Sequence, residues 1–209
     1  MPRRDPESTA NLRASLLRHA RRLVERDGPQ ALTMRALAAE AACAIGLPYK
    51  VFADRDELVA ELVLEEFSEL RGELDGWTSR AGTGTVGSNL ARYAAILLER
   101  ELPAWEMVGT VGDDKLSRAA AEKAGPSGLL ASFDTAVRDY LAAEQRLGRV
   151  AREVDPEAWG FLITGAIHNL LIAAPGYPRP SKRRLARFLA EVAERIGPKA
   201  AGSDIHDIG

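Results

Sequence analysis

The sequence predicts an all-α protein of about nine helices, with a three-helix helix-turn-helix head at the N-terminus and a larger helical body behind it. Apolar residues recur at three- and four-residue steps along most of the chain, and no segment shows the two-residue alternation of a strand. Most periodic segments also begin at a capping residue or end at a Gly-Pro pair, as helices do. We expect the head at residues 1–55, the helical body at 56–200, and a disordered tail at 201–209.

Three short helices are expected in the head. The first stops at Gly28-Pro29, and Thr33 is a suitable N-cap for the second, which runs from Met34 to Ala42. A third apolar stretch extends from Ile45 to Phe52. Helices arranged in this way form the unit whose last helix enters the major groove of DNA. The apolar face of the first helix consists of Leu12, Leu16, Ala20, Leu23 and Val24.

The body shows the same helix boundaries. Asp54 is placed to cap a long fourth helix, Glu57 completes the capping arrangement, and the helix continues to about Trp77. A glycine-rich loop at 80–88 follows, and Pro103 is expected to interrupt the chain after the next helix. The further helices are expected at about 90–101, 113–124, 127–147, 155–174 and 181–196, the last two starting at Asp155-Pro156 and Ser181.

The charge of the chain is unevenly distributed. The net charge of the 209 residues is −2. Residues 1–55 hold ten Lys or Arg and six Asp or Glu, a balance of +4, while residues 56–209 hold eighteen and twenty-four, a balance of −6. A basic head on an acidic body is expected when only one end of a protein meets nucleic-acid phosphates.

Other classes of protein are disfavoured by what the sequence lacks. Cys43 is the single cysteine, which rules out an internal disulfide framework and a multi-cysteine zinc site. No nucleophile motif, phosphate loop or metal-ligand spacing occurs, so we expect no enzymatic activity, no cofactor and no metal. Without an 18-residue apolar run or an apolar N-terminal signal, the expected location is the cytoplasm, with no membrane partner. An all-helical enzyme or adaptor protein with no DNA role is the alternative.

The stretch from Thr33 to Leu58, TMRALAAEAACAIGLPYKVFADRDEL, resembles the head of the TetR (tetracycline-repressor-like) family of transcriptional regulators. In that family a Thr-x-Arg-x-Ile-Ala opening leads through an alanine-rich helix and a turn to Gly-x-x-Tyr-x-x-Phe and the start of the next helix. The resemblance implies a homodimeric repressor that binds palindromic double-stranded operator DNA and is released by a small apolar or amphipathic effector. The matching residues are Thr33, Arg35, Leu37, Ala38, Ala41, Gly46, Tyr49, Phe52, Arg55 and Leu58.

The same resemblance assigns roles to individual side chains. Thr33 and Tyr49 would contact phosphates, and Arg55 would anchor the opposite phosphate edge, because hydroxyl and guanidinium groups bond phosphate oxygens. Arg35 belongs to the same set of DNA-binding candidates. The head's own core would contain Leu37, Ala41 and Phe52.

The segment expected to read DNA departs from the family pattern. Ala42 and Ala44 replace the usual turn glycine and small polar cap. Pro48 fits only the first turn of a helix, so this helix is expected to be barely two turns long. Lys50 can reach a guanine edge, or it can be a solvated surface lysine. The exposed candidates are Gly46, Leu47, Pro48, Tyr49 and Lys50, of which Leu47 or Pro48 can touch a thymine methyl group.

Two expectations concern the body. The helices at 155–174 and 181–196 are the dimerisation candidates, because the first is apolar nearly all round and Gly160, Gly165 and Ala166 permit close approach of a neighbouring helix. The resemblance also implies that the body binds a ligand, in an effector pocket enclosed by the middle helices. Ordinary core packing is the alternative for each lining candidate. For His168 and Asn169, the alternative is a hydrogen bond in the core or across the dimer axis. The lining candidates are Trp77, Tyr93, Trp105, Met107, Phe133, Trp159, His168 and Asn169.

Overall fold

The computed structural model describes residues 6–108, 131–172 and 177–199. Within these ranges the regular structure consists of seven α-helices and two short 3-10 helices, with no strand, so the all-α prediction is confirmed and the count of about nine helices is corrected. The α-helices are α1 (Pro6–Asp27), α2 (Met34–Glu40), α3 (Arg55–Thr78), α4 (Val86–Val108), α5 (Ala131–Arg146), α6 (Pro156–Ile172) and α7 (Lys182–Ile196).

The helix count differs from the prediction at two places. The apolar stretch from Ile45 to Phe52 is not an α-helix and contains only the 3-10 helix Pro48–Lys50. The helix predicted at 113–124 lies outside the described residues. The predicted interruption at Pro103 is also wrong, since α4 continues to Val108. No helix in the described ranges is long and apolar enough to cross a membrane, and no cluster of metal-ligating side chains occurs there.

The described residues form two compact units. The first contains the residues up to Leu70 together with α4 from Arg100 onward. The second contains Arg71–Glu99 and the described residues from 131 to the end of α7. Both α3 and α4 therefore contribute residues to both units.

The first unit is built on the apolar faces of α1, α2 and α3. Leu16 and Ala20 of α1, Leu37 of α2, and Phe52 are almost completely buried. This agrees with the apolar face predicted for α1, because residues three and four apart lie on one side of a helix. Ala41, which was also expected in the core, is half-buried.

The helix starts follow the predicted caps. Thr33 Oγ1 accepts a hydrogen bond from the Ala36 amide at 3.1 Å. At α3, Asp54 Oδ1 accepts from the Glu57 amide at 2.9 Å, and Glu57 Oε2 accepts from the amide before the cap residue at 2.6 Å. Ser181 Oγ likewise accepts from the amide three residues on, at 3.3 Å. These bonds satisfy amides that have no partner within their helix.

Three aromatic residues form the centre of the second unit. The Trp77 ring centroid lies 4.9 Å from that of Tyr93 and 4.5 Å from that of Tyr140. Trp77 Nε1 donates to the Asn89 carbonyl oxygen at 2.7 Å, and the Tyr140 hydroxyl donates to Glu144 Oε1 at 2.6 Å. Burial, followed by this bond to the carboxylate, raises the pKa of Tyr140 above its usual value.

The Glu144 carboxylate organises the glycine-rich loop before α4. Its side chain is fully buried, yet it accepts from the Gly82 amide at 3.3 Å and pairs with Arg149 Nε at 3.3 Å. Arg149 Nη2 in turn donates to the Gly84 carbonyl oxygen at 2.7 Å. A buried charge requires such partners, so this loop is held by an internal ion pair.

Two glycines bring helices of the second unit together closely. A Cβ atom on Gly87 of α4 would lie 2.9 Å from the Cα atom of Ala190 on α7. A Cβ atom on Gly160 of α6 would lie 3.0 Å from the backbone nitrogen of Arg138 on α5. Gly160 therefore permits close approach of α5 from the same chain, whereas a Cβ atom on Gly165 meets nothing within 4 Å, and the role predicted for both glycines in dimerisation stays a prediction.

Candidate nucleic-acid interface

The turn after α2 is made by a Schellman motif. The Cys43 amide donates to the Ala38 carbonyl oxygen at 2.9 Å, and the Ala42 amide donates to the Ala39 carbonyl oxygen at 3.1 Å. Ala42 has φ +48° and is the non-glycine residue with positive φ in the described ranges. Glycine normally occupies such a position, because a Cβ atom crowds the following carbonyl group. The turn therefore forms without the usual glycine, but under strain.

The recognition segment, defined here as residues 44–51, is held by bonds between residues three apart. The Leu47 amide donates to the Ala44 carbonyl oxygen at 2.8 Å. The Lys50 amide donates to the Leu47 carbonyl oxygen at 3.1 Å, and the Val51 amide donates to the Pro48 carbonyl oxygen at 3.0 Å. Pro48 has no amide hydrogen and therefore begins the 3-10 helix. A turn and one 3-10 turn thus replace the two-turn recognition helix that the sequence analysis expected.

The structure separates the predicted DNA contacts by exposure. Tyr49 is 56% exposed, and Lys50 and Gly46 are also exposed. Leu47 is half-buried. The expectation that Pro48 is exposed is wrong, because its ring is buried at the start of the 3-10 helix. Of the two side chains predicted to touch a thymine methyl group, only Leu47 is therefore accessible.

The two candidates on α2 lie at its start. Thr33 and Arg35 are both exposed. Thr33 Oγ1 accepts the Ala36 amide, and its hydroxyl hydrogen remains available to donate to a phosphate oxygen. The side chains of Arg35, Tyr49 and Lys50 make no hydrogen bond or ion pair with the rest of the described chain.

Arg55 is engaged by the protein itself. Its Nε donates to the Leu32 carbonyl oxygen at 2.7 Å and its Nη2 to the Pro29 carbonyl oxygen at 3.2 Å. The guanidinium also lies 3.8 Å from the Asp56 carboxylate. Arg55 thus ties the start of α3 to the chain just before α2, so that only part of its donor capacity is left for the phosphate that the sequence analysis assigned to it.

Arg13 on α1 makes contacts that were not predicted from the sequence. Its Nη2 donates to the Val51 carbonyl oxygen at 2.7 Å and to Glu57 Oε1 at 3.1 Å, and its Nη1 donates to Glu61 Oε1. The guanidinium also lies over the Phe52 ring, 4.9 Å from its centroid. One side chain of α1 therefore contacts the end of the recognition segment and the first turns of α3.

The spacing of charges could have indicated this contact. Arg21, two helical turns after Arg13, pairs with Glu66 at 2.8 Å and Glu69 at 2.8 Å. Two arginines eight residues apart on α1 thus face glutamates on α3. Those glutamates, Glu57, Glu61, Glu65 and Glu69, recur every four residues, about one helical turn. Such a repeat predicts two helices in parallel contact, but it does not reveal the carbonyl group that Arg13 also binds.

The effector candidates of the body occupy several environments. Trp77, Tyr93 and Met107 are almost completely buried. Trp159 and His168 are half-buried, and Asn169 is exposed and donates to the Tyr177 hydroxyl at 2.9 Å. The side chains of the remaining candidates, Trp105 and Phe133, fall outside the described part of the structure.

Two clefts of the second unit have a size suited to small molecules. One, of about 280 Å³, is lined by Glu73, Gly76, Trp77, Arg80, Arg92 and Ile96. Another, of about 590 Å³, lies beside the loop before α4 and the end of α7, and none of the effector candidates lines it. Among the described candidates, Trp77 alone borders either of these two clefts.

A capped short helix, a tight turn and an exposed recognition segment, packed on a longer third helix, define a helix-turn-helix DNA-binding head. Residues 16–62 match the family model described as bacterial regulatory proteins of the tetR family. Residues 16–62 are therefore a DNA-binding head of the TetR family of transcriptional regulators. No curated protein matches the chain.

Solved structures share the fold over nearly the whole chain. A TetR-family transcriptional regulator from Pectobacterium atrosepticum has 24% identity, covers 92% of this chain and 96% of its own, and gives a TM-score of 0.62. A protein from Saccharomonospora viridis in complex with choline has 16% identity, covers 88% and 96%, and gives a TM-score of 0.61. A ketosteroid transcriptional regulator from Mycobacterium tuberculosis has 18% identity, covers 90% and 95%, and gives a TM-score of 0.54.

Proposed function

We propose that this regulator is a ligand-responsive repressor that binds a palindromic operator as a homodimer and is released by a small molecule. The observation that carries the DNA-binding part is the head: Arg35, Tyr49 and Lys50 are exposed, and their side chains have no hydrogen-bond or ion-pair partner in the described chain. Cations and hydroxyls left unpaired beside a helix-turn-helix are the groups that phosphates and base edges require. The head and body are proposed to divide at residues 55 and 56.

The proposed contacts divide into positioning and reading. Thr33, Arg35 and Tyr49 would bond phosphate oxygens, which fixes the head on the duplex without sequence preference. Arg55 would contact a phosphate only through guanidinium N–H groups that do not bond to the protein. Lys50 would reach the N7 and O6 acceptors of guanine in the major groove, assisted by close approach at Gly46.

Dimerisation is proposed through α6 and α7. Phe161 is 68% exposed and Leu162 is 58% exposed. Both lie on α6, which has no Asp, Glu, Lys or Arg after its first turn. On α7, Phe188 is 37% exposed. Large exposed apolar side chains are typical of a protein-protein interface, and two copies of this chain would cover those of α6 and α7.

The effector is proposed to bind the body and to act through α3. Fold relatives include a protein crystallised with choline and a ketosteroid transcriptional regulator, which supports a small-molecule effector for this fold without identifying it. Since α3 contributes to both units, a ligand that favours a different tilt of α3 would move the heads away from the half-site spacing. By linkage, operator and effector must then weaken each other's binding by the same factor.

The test of the DNA-binding role begins with selection of bound duplexes from a random library by the purified protein. Enrichment of a palindromic sequence is expected. Lys50→Ala should then lower operator affinity by about tenfold or more, with less effect on a random duplex. The control variant is Arg152→Ala, which removes an exposed cation of the second unit and should leave both affinities within about twofold. Absence of any enriched sequence, or equal losses in both variants, would contradict the proposal.

The ligand-responsive part needs a second measurement. A library of small amphipathic compounds is screened for release of the protein from the selected operator. Any compound that releases it should bind free protein more tightly than operator-bound protein by the same factor. Equal affinity for the two forms would end the switching model, while the DNA-binding role would stand.

A further inference from the structure

We infer that Arg13 is a positioning residue for operator recognition, which sets the orientation of the recognition segment from α1 without touching DNA. The inference rests on the proposed function, because it presumes that Tyr49 and Lys50 of this segment meet the operator. Its basis is the set of contacts that one guanidinium makes, to the Val51 carbonyl oxygen, to Glu57 and Glu61 of α3, and over the ring of Phe52.

The recognition segment has little internal structure to define its own orientation. Its amides bond to carbonyl groups three residues earlier, over a 3-10 helix of three residues. Such a turn has poorer hydrogen-bond geometry than an α-helix and does not extend into long runs. The direction of the segment therefore depends on how its two ends are attached. The first end follows the strained turn at Ala42, and the second is Val51, whose carbonyl group binds Arg13.

Arg13 is suited to this attachment by its geometry and surroundings. Arginine presents its donors in a planar fork, so one side chain can hold a backbone carbonyl and two carboxylates at the same time. Glu61 is 7% exposed and needs a cation, which fixes the guanidinium in place from the α3 side. Phe52 is fully buried, and the guanidinium carbon lies over its ring. The position of Val51 is thereby defined relative to both α1 and α3.

The chain contains a matched control for this role. Arg21 lies on the same helix and pairs with Glu65, Glu66 and Glu69 of α3, but it makes no contact with the recognition segment. Arg21 and Arg13 therefore share the task of joining α1 to α3, and only Arg13 has the additional bond to Val51. A merely structural role would make substitutions at the two positions equivalent.

The informative substitution is Arg13→Lys, compared with Arg21→Lys. Lysine keeps the charge beside Glu57 and Glu61, so the head should still fold, but a single ammonium group cannot replace the fork that also reaches the Val51 carbonyl oxygen. We expect Arg13→Lys to lower affinity for the selected operator about tenfold, the scale of one hydrogen bond to a charged group. Affinity for a random duplex, which depends on phosphate contacts, should change by less than about twofold.

Arg21→Lys should leave both affinities within about twofold, and the two variants should have similar thermal unfolding midpoints. Repeating the duplex selection with Arg13→Lys should yield a weaker or altered consensus. Equal effects of the two lysine variants on operator affinity, or an equal loss on operator and random duplex in Arg13→Lys, overturns the inference. If the parent protein itself enriches no sequence, the proposed function fails instead, so the two failures are distinguishable.

Discussion

Replacing Ala42 by glycine should stabilise the head, since Ala42 is an alanine in a conformation that favours glycine. The residue has φ +48° at the position after the α2 cap, where the Schellman bonds to Ala38 and Ala39 require a left-handed backbone. An L-residue in this region costs roughly 1–2 kcal/mol relative to glycine. Ala42 is exposed, so removing its Cβ atom sacrifices no buried contact.

The gain is reduced by the greater freedom that glycine has in the unfolded chain. That freedom costs about 0.4–1 kcal/mol for an alanine-to-glycine change. The expected net result for Ala42→Gly is a stabilisation of about 1 kcal/mol, the difference between the two effects. Urea unfolding followed by circular dichroism measures it as a raised midpoint with an unchanged slope.

Ala44→Gly supplies a control with the opposite expected sign. Ala44 is exposed in the same turn but does not have positive φ, so glycine brings only the cost in the unfolded state. That variant should lose about 0.4–1 kcal/mol of stability. If Ala42→Gly is destabilising, or if both variants shift the midpoint in the same direction, the strain assigned to this turn is refuted.

Three further outcomes are expected. Phe161→Glu should weaken the proposed dimer by about a hundredfold or more in sedimentation, because each protomer loses about 1.5–3 kcal/mol of apolar burial. Leu147→Glu, at a residue that is 57% exposed and lies outside α6 and α7, should not weaken it. Gly87→Ala should destabilise the second unit by about 1–3 kcal/mol, because the added methyl group would lie 2.9 Å from the Ala190 backbone. Gly76→Ala, where the added methyl group meets open space, should instead stabilise α3 by up to about 1 kcal/mol. Tyr140, whose pKa is raised in the folded protein, should contribute stability that is complete below about pH 10 and is lost as the pH rises further. Tyr140→Phe should therefore unfold more easily at neutral pH but lose less stability above pH 10, and parallel pH profiles for the two proteins would contradict this assignment.

The helix starts and buried faces that were predicted correctly depend on local sequence signals. Caps and stops depend on residues within one turn of each other, so Thr33, Asp54 and Ser181 correctly marked the starts of α2, α3 and α7. Apolar periodicity similarly identified the buried face of α1. These patterns were sufficient for the all-helical fold and for the place of the head.

The directions of long side chains could not be derived from local signals. Arg13 meets Val51 across 38 residues, and Arg55 meets Leu32 across 23. A guanidinium near a helix start is equally suited to a phosphate outside the protein and to a carbonyl group inside it, and only the packing of the helices decides between them. The same reason explains Pro48, whose burial depends on the helices around it rather than on its neighbours in sequence.

The structure also weighs against Asn169 as an effector contact if the proposed dimer forms. Asn169 follows Phe161 by eight residues and Leu162 by seven, which on an α-helix places the three side chains on one face. All three are exposed in the single chain, so a partner that covers Phe161 and Leu162 would also enclose Asn169. An amide enclosed at an interface needs a hydrogen-bond partner, and its present acceptor, the Tyr177 hydroxyl, is on a residue that is itself 49% exposed. In the proposed dimer, a hydrogen bond across the axis would account for this polar residue on an apolar helix, and Asn169→Ala should then weaken dimerisation before it alters any response to an effector.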